Sequence, residues 1–176
     1  FLIGRRMPQI SISKLFEENR EKLGLTWTSG SECGDKKFIH ETASQTNQGL
    51  IGHLNFIHPN WIQVLSKDEA DHLNQLDPKS LEDNIQRLSE SGMSCIIAAG
   101  GVSIPESLST LALSTQTPIL CSERSSLEIM WRLRPYLWRV LAPTDSMHGV
   151  LLDVLGMGVM ITGESGVGKS ELALEL

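Results

Sequence analysis

Residues 163–170 read Gly-Glu-Ser-Gly-Val-Gly-Lys-Ser, which satisfies G-x-x-x-x-G-K-[ST] at every fixed position. This is the tightest constraint in the chain, because such a loop sits between a strand that ends at its mouth and a helix that opens at its lysine. Both flanks comply: residues 158–162, Gly-Val-Met-Ile-Thr, read as a strand, and residues 171–176, Glu-Leu-Ala-Leu-Glu-Leu, are strong helix formers. The residue types carry chemistry. Glycines let successive backbone N–H groups point at phosphate oxygens, and the helix that follows adds a partial positive charge at its N-terminus. Lys169 would reach β and γ phosphates, and the Ser170 hydroxyl suits Mg²⁺, a hard cation that takes oxygen ligands. Glu164, Ser165 and Val167 fill the variable positions and contribute mainly backbone amides.

Upstream, residues 148–154 and 158–162 are apolar runs separated by Leu155-Gly156-Met157, a spacing that suits a β-hairpin. Pairing centred on Gly156 sets His148 opposite Glu164, beside the loop. A histidine there could bind phosphate or move a proton; it could equally be a solvated residue at a domain edge.

Charge adds a restriction. Lys+Arg number 15 against 21 Asp+Glu, a formal net charge of −6, so nothing favours a nucleic acid by bulk attraction and phosphate binding must come from a local site. The 176 residues, 40% hydrophobic, suffice for one medium domain or for one domain and part of another. No run approaches the roughly 20 apolar residues of a spanning helix, so no membrane segment is expected. Cys33, Cys95 and Cys121 lack C-x-x-C spacing and read as free thiols in a reducing compartment, by default the cytoplasm. At the start, Phe1-Leu2-Ile3-Gly4 precedes Arg5-Arg6, the reverse of a secretory signal; Met7 reads as the natural start and residues 1–6 as an N-terminal extension.

The remainder reads as α/β. Residues 13–23 have helical spacing with Gly24 as a stop, 28–49 read as loop with at most a short strand at 36–40, and 61–65 suit a strand. Residues 66–91 are helical in composition. Residues 94–99, then Gly100-Gly101, a helix opened by Pro105, and residues 118–121 form a strand, helix, strand unit, the mark of a parallel sheet. Ser125 and Ser126 offer caps for a helix carrying Leu127, Met130, Trp131, Leu137, Trp138 and Leu141, which Pro135 should kink or divide. Its tryptophans are expected to pack inward while Arg132, Arg134 and Arg139 stay solvated. A breaker cluster from Ala142 to Ser146 marks a boundary. The organisation expected is therefore an N-terminal α/β domain with a partly parallel sheet over 7–141, a linker over 142–147, and over 148–176 a hairpin, phosphate loop and first helix that begin a second domain.

Together, His148-Gly149, Asp153, Gly156-x-Gly158, Ile161-Thr162-Gly163, Gly166-x-Gly168-Lys169-Ser170-Glu171 and the Ala173-Leu174-Glu175-Leu176 that follows resemble the opening of the catalytic domain of HPr kinase/phosphorylase. The interval from His148 to Lys169 matches as well, and 52–64 and 94–120 resemble that family's N-terminal domain. The resemblance implies ATP- and Mg²⁺-dependent phosphorylation of a serine on the phosphocarrier protein HPr, and the reverse phosphorolysis. It also implies a homo-oligomer, typically a hexamer. Residues 163–170 would bind nucleotide, Ser170 magnesium, and His148 and Lys169 would be active-site residues. The family's catalytic aspartate pair and second metal carboxylate fall beyond position 176, so the chain is expected to be a piece of a longer protein and inactive alone.

Other readings are weaker. A small-molecule phosphate-loop kinase or a phosphoenolpyruvate carboxykinase relative would share the loop but lack a domain like 7–140, and a nucleotide-sensing module would bind without chemistry. A dinucleotide fingerprint starting at Gly156 fails at Ile161. Gly100-Gly101 could hold an anion, and His53, His58 and Cys33 or Cys95 match no zinc spacing.

Overall fold

Four short apolar segments, β4 (Ile51–His53), β5 (Ile62–Leu65), β6 (Cys95–Ala99) and β7 (Ile119–Ser122), lie parallel, and β2 (Thr26–Ser29) closes one edge antiparallel to β7, in the order β2-β7-β6-β5-β4. The computed structural model describes residues 9–35, the backbone of 37–39, and residues 49–142 and 148–175. They divide between two compact units, those up to 142 in one and those from 148 in the other.

Every residue of β5 and β6 is buried, because helices cover both faces of the sheet; hence β6 reads as a continuous apolar run and β5 as an apolar segment with one polar residue, Gln63. Alternate side chains serve opposite faces. Cys95, Ile97 and Ala99 pack with α1 (Ile12–Leu23) and α5 (Ser126–Val140). Ile96 packs on the other face with α2 (Lys67–Gln75), α3 (Pro78–Glu90) and α4 (Glu106–Thr115). A short pair, β1 (Gln9–Ser11) with β3 (Lys37–Ile39), stands apart from this sheet.

Local signals set the helix ends. Ser11 caps α1, and Gly24 ends it in the left-handed region at φ 58. The helical stretch after residue 65 is two helices: Ser66 and Glu69 form a capping box on α2, and Asp77 with Pro78 at the first position opens α3. Strand β2 overlaps at Thr28 and Ser29 the stretch over 28–49 expected to be loop; it forms because an edge strand needs only one buried face, and its side chains alternate exposed and half-buried.

Of the two outcomes expected of Pro135, a kink or a division, α5 is not divided: it runs unbroken from Ser126 to Val140. Pro135 and Trp131, whose carbonyl the proline leaves without a donor, both lie on the exposed side, where solvent can serve that carbonyl. The tryptophans do not pack inward: Trp131 is 82% exposed and Trp138 62%. The buried stripe is Ile129, Met130, Leu133, Tyr136 and Leu137, which satisfies helical spacing without them. Among the described residues no helix is long and apolar enough to cross a membrane, and Cys33, Cys95 and Cys121 are free thiols. The expected start at Met7 with its extension over 1–6, and 143–147 of the expected linker, lie outside the described residues.

Candidate functional site

The second unit is a hairpin, a glycine-rich loop and a helix in direct succession. β8 (Gly149–Val154) and β9 (Met157–Thr162) pair antiparallel from Val154↔Met157 to Gly149↔Thr162. The turn is two residues long, Leu155 at φ 54 and Gly156 at φ 82, the double left-handed geometry that suits the twist of a tight hairpin. Asp153 Oδ1 accepts the Gly156 N–H at 2.8 Å. This register corrects the expected one by a residue, because the turn centres between Leu155 and Gly156 and takes Met157 into the strand. Continued past Gly149, it sets His148 opposite Gly163, at the mouth of the loop, instead of Glu164. His148 is exposed.

Beyond β9 the chain turns through residues 163–168 into α6 (Lys169–Glu175), which the Leu172 N–H to Gly168 carbonyl bond of 3.0 Å secures. Gly166 at φ 87 and Gly168 at φ 84 adopt backbone that a side chain would strain. The Lys169 ammonium folds back over this turn and donates to the Gly163 carbonyl at 2.9 Å and the Glu164 carbonyl at 2.5 Å. Ser165, Val167 and Ser170 are exposed. The structure thus brings into one exposed loop a lysine bonded to two loop carbonyls, the exposed hydroxyl of Ser170 and glycine backbone in left-handed turns. These donors fit the phosphates of a nucleotide, and the Ser170 oxygen fits Mg²⁺.

The other candidates gain no ligand. A Cβ on Gly101 would lie 2.7 Å from Glu123 Oε2, so a carboxylate fills the Gly100-Gly101 turn where an anion would have to sit. His53 Nδ1 meets Glu69 Oε1 at 3.0 Å. Cys95 is fully buried, and burial pushes its thiol far up, away from the reactive thiolate.

Residues 10–137 match the family described as HPr Serine kinase N terminus, and residues 139–176 match the HPr Serine kinase C-terminal domain. The chain belongs to the HPr kinase/phosphorylase family. Among its relatives it is 52% identical over 170 residues to the HPr kinase/phosphorylase of Nitrosomonas europaea and 42% to that of Chromobacterium violaceum, in each case over 97% of this chain and 53% of the relative. The HPr kinase/phosphorylase of Bordetella pertussis is 37% identical over 95% of the chain and 54% of the relative. The chain therefore spans about half the length of the HPr kinase/phosphorylases it matches. Within the site, sequence reasoning missed the bond from Asp153 to the turn. The signal was an Asp placed three residues before a glycine, a spacing that lets the carboxylate close over the turn.

Proposed function

We propose that the protein carrying this chain phosphorylates a serine of the phosphocarrier protein HPr from ATP with Mg²⁺, regulating the sugar phosphotransferase system. It also runs the reverse reaction, in which inorganic phosphate takes the phosphoryl group from phosphoserine to give serine and pyrophosphate. The observation that carries this reading is the loop over 163–170, complete at every fixed position and set between a strand and a helix, in a chain matched along its length by enzymes of that name.

Bound ATP with Mg²⁺ supplies the transferable phosphoryl group and neutralises its charge. The work of the chain itself is binding and orientation. The backbone amides over 163–170, those of Glu164, Ser165 and Val167 included, hold phosphate oxygens, and the glycines keep side chains out of their way. Lys169 exchanges its two carbonyl partners for β and γ phosphate oxygens, and Ser170 offers its hydroxyl to the metal. His148, at the mouth of the loop, binds phosphate or moves the proton of the acceptor hydroxyl.

The same reading makes the protein a cytoplasmic homo-oligomer, a hexamer by family resemblance. Residues 7–141 are its N-terminal α/β domain, 142–147 a linker and 148–176 the opening of its catalytic domain. The two compact units, and family matches that meet between 137 and 139, support that division. The test uses the protein extended to the length of its relatives, with γ-labelled ATP, Mg²⁺ and HPr. Label on a serine of HPr, removed again by inorganic phosphate with release of pyrophosphate, is the expected result. Nucleotide binding without transfer would point to a sensor, and transfer only to a small molecule would point to a metabolic kinase; either overturns the reading.

A further inference from the structure

Helices α1 and α5 share one face of the sheet and leave a cleft of about 440 Å³ between them. Asn19, Leu23 and Tyr136 form its buried floor, and its rim is exposed. The volume falls within the roughly 300–1,000 Å³ of small-molecule sites. The charged side chains that line it, Lys22, Arg132 and Arg139, are all cations, in a chain whose formal net charge is −6. Among the described residues, neither Lys22 nor Arg139 has a carboxylate within ion-pair distance. Arg139 stands 5.9 Å over the Tyr136 ring, which orients its guanidinium without neutralising it. Arg132 turns its Nε to Glu128 at 3.1 Å, but the same carboxylate oxygen takes Arg124 at 2.7 Å, so two guanidiniums share one negative charge. Glu18, which accepts from the Tyr136 hydroxyl, is itself paired with Lys14 at 3.8 Å. Positive charge is therefore left over in the cleft.

The helix dipole accounts for basic residues in the last turns of α1 and α5. It does not account for Arg132, two turns before Arg139 on the same face, or for the flat surfaces beside it. Trp131, 82% exposed, and the Pro135 ring complete the rim. Proline inside a helix is costly, and it gives no N–H to the carbonyl four residues back, here that of Trp131. One cleft thus gathers unneutralised cations, a flat apolar wall and a backbone acceptor deprived of its helical donor.

We infer that this cleft binds a small phosphate ester carrying a flat ring, of the size of a mononucleotide. Lys22, Arg132 and Arg139 take the phosphate oxygens, and the ring lies against Trp131. A ring that bears an N–H or amino group can also donate to the Trp131 carbonyl. The inference stands apart from the kinase reading, because the cleft belongs to the unit up to 142 and the phosphate loop to the other.

The test titrates the full 176-residue chain with AMP, read by tryptophan fluorescence and by calorimetry. Saturable binding with a Kd on the order of 100 μM, with quenching, is expected. Inorganic phosphate and adenosine, each with half of the recognised chemistry, should bind at least about tenfold more weakly. Phenyl phosphate separates the two kinds of ring: an affinity below that of AMP identifies a base donating to the carbonyl, an equal one identifies stacking alone, and both bear the proposal out. The double variant Lys22→Ala/Arg139→Ala should weaken AMP binding at least about tenfold, and Trp131→Leu should weaken it at least about threefold and remove most of the quenching. All three positions are exposed, so circular dichroism should not change. Absence of saturable AMP binding up to about 5 mM, or an affinity that inorganic phosphate matches, overturns the proposal. So does binding that either cleft variant leaves unchanged, or that Lys169→Ala abolishes, which would place the nucleotide on the phosphate loop.

Discussion

Glu69 joins two elements through one carboxylate. It accepts from the Ser66 amide at 2.8 Å and from the Ser66 hydroxyl, closing the capping box of α2, and its other oxygen meets His53 at the end of β4. Partial burial works against its ionisation, but the Ser66 hydroxyl and amide, its own backbone N–H and His53 outweigh it and hold the carboxyl below its ordinary value of 4.5. The unfolded chain therefore takes up this proton more readily than the folded one. The stabilisation is complete above about pH 4.5 and is lost as pH falls through the folded value. Glu69→Gln should lower the Tm at pH 7 and flatten its fall between pH 5 and about pH 3, read by thermal melts across that range. Tyr136 offers a second check, since its hydroxyl donates to Glu18 Oε2 at 2.8 Å and ties α5 to α1. Burial, and then the Glu18 carboxylate, push its phenol well up, so it remains a donor throughout the working range. Tyr136→Phe should cost about 1 kcal/mol in denaturant unfolding.

At the scale of elements, the hairpin asks most of a poor residue. Leu155 is 96% exposed and holds φ 54, a backbone that leucine adopts at a cost and asparagine tolerates. Leu155→Asn should raise stability by about 0.5–1 kcal/mol and Gly156→Ala lower it by about 1 kcal/mol, both measured by thermal denaturation of the hairpin unit. This turn also shows why the expected register missed by one. Leucine gave no sign of a left-handed residue, so Gly156 alone was taken as the centre. Two caps were legible because their chemistry is local, Gly24 closing α1 and Ser125 opening α5; the equally local Ser66 with Glu69 and Asp77 before Pro78, which split 66–91 into two helices, were not part of that reading. The inward face of α5 was not legible. Trp131 and Trp138 fit an apolar stripe by spacing, and so do Ile129, Leu133 and Leu137; only packing against α1 and the sheet decides between them.

For the whole molecule, the parallel core was legible because β6, buried on both faces, wrote itself as an unbroken apolar run. Edge strand β2 depends on a partner far along the chain, β7, and pattern alone could not supply it. The loop over 163–170 stood out from eight residues because phosphate binding by backbone demands glycine at fixed places. We propose that this loop performs phosphoryl transfer to HPr, and the forward and reverse rates of Lys169→Ala and His148→Ala, in the protein at its relatives' length, decide it. Among the described residues Lys169 bonds only to two loop carbonyls, so its loss should leave circular dichroism unchanged while cutting transfer by at least about 10³-fold in both directions. His148→Ala should depress both rates together, since the two directions share one transition state, with a smaller change in nucleotide affinity. Near-wild-type turnover in Lys169→Ala, with the fold intact, would contradict the account.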